Sequence, residues 1–130
     1  MPRRALLLLL SLQLVSEIFF CGGAMLLPGQ MLSGFGVPVT ADTAFLTFVL
    51  GLMLLLASGV IFLAIREVHA GTRIGGTLSY LLGLFWVIFG GTLFTVYARV
   101  ENLYLDTLPG IAICILTGLA YREDRAVIPR

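Results

Sequence analysis

Lysine is absent from the 130 residues, and charge of either sign is scarce: eight arginines and seven acids make up 12% of a chain that is 59% hydrophobic, with a mean hydropathy of +1.06. A soluble domain could not cover itself with so little polar surface, so the composition selects the membrane class. The two cysteines, Cys21 and Cys114, form neither a CxxC nor a metal-ligand spacing. Buried, small-hydrophobe thiols are the main reading, and redox or metal chemistry the minor one. The single histidine, His69, lies near Glu67 and Arg73 in a polar link and reads as a solvated loop residue. There is no phosphate-binding loop, no nucleophile beside a base, no carboxylate pair and no basic stripe for nucleic acid. These absences argue against an ordinary hydrolase, a kinase or a nucleic-acid binder, and no cofactor or metal is implied.

What is present is apolar length in four blocks. Helices are predicted over 5–27, 44–65, 74–97 and 107–121, most of them near the roughly 20 residues that cross about 30 Å of hydrocarbon at about 1.5 Å each. The last is short and draws on Leu103, Tyr104 and Leu105 to reach the interface. The expected fold is all-α: one domain over 1–130, an integral membrane four-helix antiparallel bundle. Arginine sets the orientation. Arg3, Arg4, Arg66, Arg73, Arg122, Arg125 and Arg130 fall on one side and Arg99 alone on the other, which predicts that both termini are cytoplasmic. Arginine without lysine, with abundant Leu, Gly and Val, suggests a GC-rich bacterial genome, hence the inner membrane. The PRR followed by ALLLLLSLQLV also has the shape of a secretory signal. Apolar residues running on through Leu27, and a glutamate inside the run, favour a retained helix.

The connections are punctuated by turn residues. Pro28 is expected to stop the first helix, and PGQMLSGFGVPVTADTA forms an outer loop whose apolar content folds it onto the bundle or the interface. Thr40 is a plausible N-cap, with Asp42 in the first turn behind it. The inner link REVHAGTRIGG is short and polar, with Gly71 as helix stop, so the second and third helices should be antiparallel neighbours. In RVENLYLDTLPG, Asp106 or Thr107 would cap a last helix carrying Pro109 in its first turn. YREDRAVIPR reads as a solvated tail.

One residue breaks the apolar pattern. Glu17, in LQLVSEIFFCGGAM, lies about 15 Å below the outer end of its helix, near mid-membrane, where a charge costs about 2.5–3.5 kcal/mol. It must face protein. Gln13 and Cys21 are four residues to either side and share its face, giving a polar stripe. The same depth on other helices holds Trp86, with an indole N–H, and Thr117, with a hydroxyl; no arginine or histidine lies at that level. The sequence therefore predicts a carboxyl that is neutral or exchanges protons near neutral pH. Glu17, Gln13, Trp86, Thr117 and Cys21 are the candidate ligand- or proton-binding residues, with no catalytic set. The competing reading is a neutral acid serving as interhelical glue, contributing about 1 kcal/mol or less.

Small residues recur at Gly51, Ser58 and Gly59, at Gly76, Gly83, Gly90 and Gly91, and at Gly118. In lipid they allow close helix packing, which is the main reading; a face that binds another protein or a second copy is the alternative. Tyr80, Phe85, Trp86, Phe89 and Phe94 make the third helix aromatic, suited to bounding an apolar pocket, while Tyr97, Tyr104 and Tyr121 suit an interfacial belt.

The stretch LPGQMLSGFGVPVTADTAFLTFVLGLMLLL, with VIFGGTLF further on, resembles the DoxX-like superfamily of small four-helix bacterial membrane proteins, over nearly the whole chain. The resemblance implies a compact left-handed bundle and, as in some relatives, an apolar ligand held around a buried acid, a place Glu17 would match. A second resemblance, on a glutamate in the first helix and on LDTLPGIAICILTG, is to small multidrug-resistance exporters, which would make Glu17 a proton and substrate site. The longer chain, the larger outer loop and the strong arginine bias depart from that pattern. The expected function is thus binding of an apolar ligand or a membrane-protein partner in the bilayer, with a proton-coupled exporter as the alternative.

Overall fold

The computed structural model describes residues 1–126, so Arg130 and the side chains of Tyr97 and Arg125, which enter the orientation and belt readings, lie outside the described residues. That part of the chain is all-helical: α1 (Pro2–Leu26), α2 (Pro28–Gly34), α3 (Ala41–Ala70), α4 (Arg73–Tyr97), α5 (Val100–Asn102), a π-helical turn (Leu103–Thr107) and α6 (Leu108–Ala126). Four stretches are long and apolar enough to cross a membrane: α1, α3, α4 and the composite Val100–Arg122. The protein is therefore read as a multi-pass membrane protein.

The helix ends follow local chemistry. Leu27, held at φ −134° before Pro28, breaks α1, and Pro28 then opens a helix of seven residues inside the expected outer loop. This α2 ends when Gly36, at φ 69°, turns left-handed, with the Val37 N–H on the Leu32 carbonyl. Thr40 caps α3 as expected: its Oγ1 accepts from the Thr43 N–H at 3.1 Å, and Thr43 Oγ1 accepts from the Thr40 N–H at 2.8 Å. Helix α3 runs five residues past its expected end, because Arg66 and Glu67 continue a helix readily. Gly71, at φ 77°, stops it, with Gly71 N–H on Val68 O and Thr72 N–H on Glu67 O. Only Gly71 and Thr72 remain as the link between α3 and α4, so His69 sits in the last turn of α3 instead of a loop.

The last helix differs more. Asp106 and Thr107 do not cap it; they lie in the π turn, where the Leu108 N–H donates to the Leu103 carbonyl. Pro109 accounts for this widening: it has no N–H for the Leu105 carbonyl, and its ring would clash there in a regular turn. At the other end α6 continues through 121–126, read from sequence as a tail, while 127–130 lie outside the described residues.

The Cα positions form two compact units, one comprising Met1–Ser11 with the chain from Leu63 onward, the other Leu12–Phe62. In the first, α4 and α6 are an antiparallel pair joined through glycine. Gly76 lies under the Tyr121 ring, a Cβ on Gly83 would stand 2.8 Å from the Gly110 carbonyl, and one on Gly90 2.5 Å from Thr107 Oγ1. Their spacing of seven keeps all three on one seam. The end of this unit around the start of α1 and the α3–α4 link is tied by side chains. Arg3 donates from Nε to Val68 O at 2.7 Å and from Nη2 to His69 O at 2.8 Å, placing a cation on the C-terminal end of α3. Tyr121 Oη donates to Thr72 O at 2.9 Å, and Thr72 Oγ1 donates to Glu67 Oε2 at 2.8 Å. Replacing Arg3 with Gln removes a charged two-point cap and should lower stability by about 1–2 kcal/mol, read as an earlier midpoint in a detergent or thermal unfolding series.

In the second unit, Gly51 of α3 lies against α1: a Cβ there would meet Met25 Cγ at 2.5 Å and Ala24 Cβ at 3.1 Å. Gly59 and Gly91, by contrast, have nothing within 4 Å and make no such seam.

Candidate functional site

Along α1 the buried residues are Leu6, Leu10, Gln13, Glu17, Cys21 and Ala24, spaced by three or four, so one narrow stripe turns inward while Leu12, Val15, Ile18 and Phe19 are exposed. The polar stripe expected from the sequence is buried as a set, with Gln13 at 7%, Glu17 at 4% and Cys21 at 7% exposure. Gln13 Nε2 donates to Glu17 Oε1 at 2.8 Å, the pairing that a spacing of four allows. The donor is a neutral amide, and it can bond to the carboxyl oxygen in either protonation state. One turn further along α1, the Cys21 thiol points to Met25 Sδ at 3.6 Å.

The remaining candidates lie in the other unit. Thr117 is fully buried, but its hydroxyl donates to Ile113 O of its own helix at 2.7 Å. Ser58 and Ser79 do the same with Leu54 O and Gly75 O, the usual way a hydroxyl satisfies itself in a helix. Trp86 is 2% exposed and packs edge-on to Phe85 at 4.9 Å and Phe89 at 5.8 Å; its Nε1 has no hydrogen-bond partner among the described residues. Both cysteines are free thiols, and Cys114 faces the Tyr80 carbonyl at 4.0 Å.

A feature that residue-type reasoning missed lies on α1 and α2. Phe19, Phe20 and Gly23 of α1, Leu27 at the break, Gln30, Met31 and Gly34 of α2, and Phe35 in the turn after it line an apolar groove of about 380 Å³. Gly23 lets α2 approach: a Cβ there would be 3.7 Å from Met31 Sδ. The signal was present in MLSGFG, where apolar residues recur at helical spacing between glycines that look like loop punctuation. Gln30 is the one polar side chain with long reach in the lining. Glu17 is six residues, or about 9 Å along the helix axis, from Gly23 toward the start of α1.

No protein-family model, curated protein or solved structure matches the chain.

Proposed function

We propose that the chain is a DoxX-like protein of the bacterial inner membrane: a four-helix antiparallel bundle with both termini in the cytoplasm that binds an apolar ligand or a membrane-protein partner, with no clear catalytic motif. The groove between α1 and α2 carries this reading. It is an open groove of about 380 Å³, with Phe19, Leu27 and Phe35 exposed along it, and its lining of aromatic and aliphatic side chains with a single amide suits an apolar molecule lying against α1 and α2. The buried Gln13–Glu17 pair deeper on α1 supplies a polar element that an apolar ligand's head could share. The arginine asymmetry supports the orientation.

Filling the groove tests this. In Gly23→Leu the new Cβ meets only ordinary contact with Met31 Sδ, so the fold should persist while the longer side chain occupies the space. Native mass spectrometry of protein extracted from its own membranes should show an apolar adduct on the wild type and none on the variant. Identical spectra for the two would remove the ligand-binding reading; a protein adduct in place of a small molecule would replace it with a membrane partner.

A second reading, the proton-coupled exporter, draws on one observation: an ionisable group only 4% exposed within a membrane-spanning helix and held by a neutral donor. In liposomes carrying a pH gradient, Glu17-dependent proton uptake coupled to movement of an organic cation would put this reading in place of the first.

A further inference from the structure

We infer that Arg4, Arg73 and Arg122 form a binding surface for the headgroups of anionic phospholipids. The surface goes beyond the ligand groove and does not depend on it. It rests only on the protein being embedded in a bilayer.

The three arginines belong to one unit and to one end of it. Arg4 follows Arg3, whose guanidinium is bonded to the last carbonyls of α3; Arg73 follows Thr72, whose carbonyl accepts from Tyr121; Arg122 follows Tyr121. The two-residue link Gly71–Thr72 thus has arginines around it from the start of α1, the start of α4 and the end of α6. By sequence, this end carries six arginines through residue 126, against the acids Glu67, Glu123 and Asp124. The opposite end of α4 carries Arg99 alone, close to Glu101 and Asp106.

The cations at this end are used in two ways. Arg3 is consumed by backbone carbonyls, and Arg66 by Glu67 at 2.9 Å, an acid that also accepts from Thr72. Arg4, Arg73 and Arg122 make no ion pair or side-chain hydrogen bond among the described residues. Topology requires only that positive charge stay on one side, which Arg3 and Arg66 would satisfy as well as any others. Guanidinium groups left without an internal acceptor, on helices that end at the membrane surface, reach headgroup phosphates by their length, and the planar fork meets a phosphate with two donors. The first-turn N–H groups of Arg73 and Ile74 add the positive end of a 25-residue helix at the same place. Charge complementarity therefore selects an anionic lipid over a zwitterionic one, and the membrane supplies that lipid at high local concentration.

The full-length protein in mixed detergent micelles, with equal amounts of phosphatidylglycerol and phosphatidylcholine, provides the test by native mass spectrometry of retained lipid. The wild type should retain phosphatidylglycerol in preference. Each of Arg4→Gln, Arg73→Gln and Arg122→Gln should reduce that preference by about fivefold, while Arg99→Gln should leave it unchanged. Should the combined triple variant fail to fold, the wild type in rising NaCl decides: the preference should collapse toward about 1 M salt, where screening acts over roughly 3 Å. Equal retention of the two lipids by the wild type, or a preference that survives all three substitutions or high salt, overturns the proposal. Displacement of the lipid by millimolar inorganic phosphate also overturns it, because the surface would then be a free-anion site.

Discussion

Gly83→Leu should abolish the folded protein. A Cβ at that position would lie 2.6 Å from Cys114 Sγ, 2.8 Å from the Gly110 carbonyl and 3.2 Å from the Cys114 backbone nitrogen. A side chain pressed on a flexible neighbour costs about 1–3 kcal/mol, because the neighbour moves. Here the nearest atoms include the backbone of α6, and the constraint is reciprocal: a Cβ on Gly110 would lie 2.7 Å from the Gly83 carbonyl and 2.9 Å from the Val87 nitrogen. Neither helix can yield without losing contact at Gly76 and Gly90, each one spacing of seven away. The expected cost therefore exceeds about 4 kcal/mol, enough to consume most of a typical folding free energy. Gly91→Leu is the matched comparison. Nothing stands within 4 Å of its Cβ position, so the same substitution one residue beyond the seam should leave the yield of monodisperse protein and its unfolding midpoint within about 0.5 kcal/mol of the wild type. Equal loss of folded protein in both variants would mean that helix α4 fails for reasons other than its seam with α6.

That contrast shows where the sequence is legible. Gly83 and Gly91 are the same residue in the same helix, and by residue type both suit close packing; the spacing of seven from Gly76 through Gly83 to Gly90 is what separates seam from open face. Four apolar stretches could be read from hydropathy alone because each exceeds a membrane's thickness. Helix α2 could not, since Pro28, Gly29, Gly34 and Gly36 carry loop signals, and a seven-residue helix held by packing against α1 leaves no length signal to outweigh them. The groove it forms was hidden with it. The π turn was hidden for another reason: Pro109 reads equally well as the first turn of a new helix and as a disturbance within a continuing one, and only the i−5 bond from Leu108 to Leu103 distinguishes the two. On α1 the burial stripe followed from periodicity, and a spacing of four brought Gln13 to Glu17. Depth along a helix is legible for Thr117 as for Glu17, but the rotamer that sends the Thr117 hydroxyl to the Ile113 carbonyl of its own helix is not.

The largest effect expected at the candidate site is coupling between Gln13 and Glu17, and it separates structure from chemistry. Gln13→Leu takes from a 4%-exposed carboxyl the amide that donates to its Oε1 at 2.8 Å; Glu17→Leu takes from a buried amide its carboxyl acceptor. Each single change should cost about 1–3 kcal/mol, the penalty for a buried polar group that loses a hydrogen bond. The double change removes both polar groups from an apolar setting and should cost less than the sum, with a coupling of about 1–2 kcal/mol in unfolding measured in the same detergent. Hydrogen bonds between membrane helices average only about 0.6 kcal/mol, so a coupling at the upper end would mark the burial of the pair, more than the bond, as its source. Additive singles would show that the two side chains do not act as a unit. Glu17→Gln answers the remaining question. A glutamine at 17 still offers Gln13 a carbonyl oxygen at the same place, so the fold should hold within about 1 kcal/mol, yet it can neither release nor take up a proton. If this variant keeps its apolar adduct and any transport the wild type shows, the carboxyl serves α1 as a packed polar group. If the adduct persists while proton-coupled cation movement disappears, binding and proton exchange belong to different parts of the second unit: the groove at Gly23 for the ligand, and the pair at Gln13 and Glu17 for the proton.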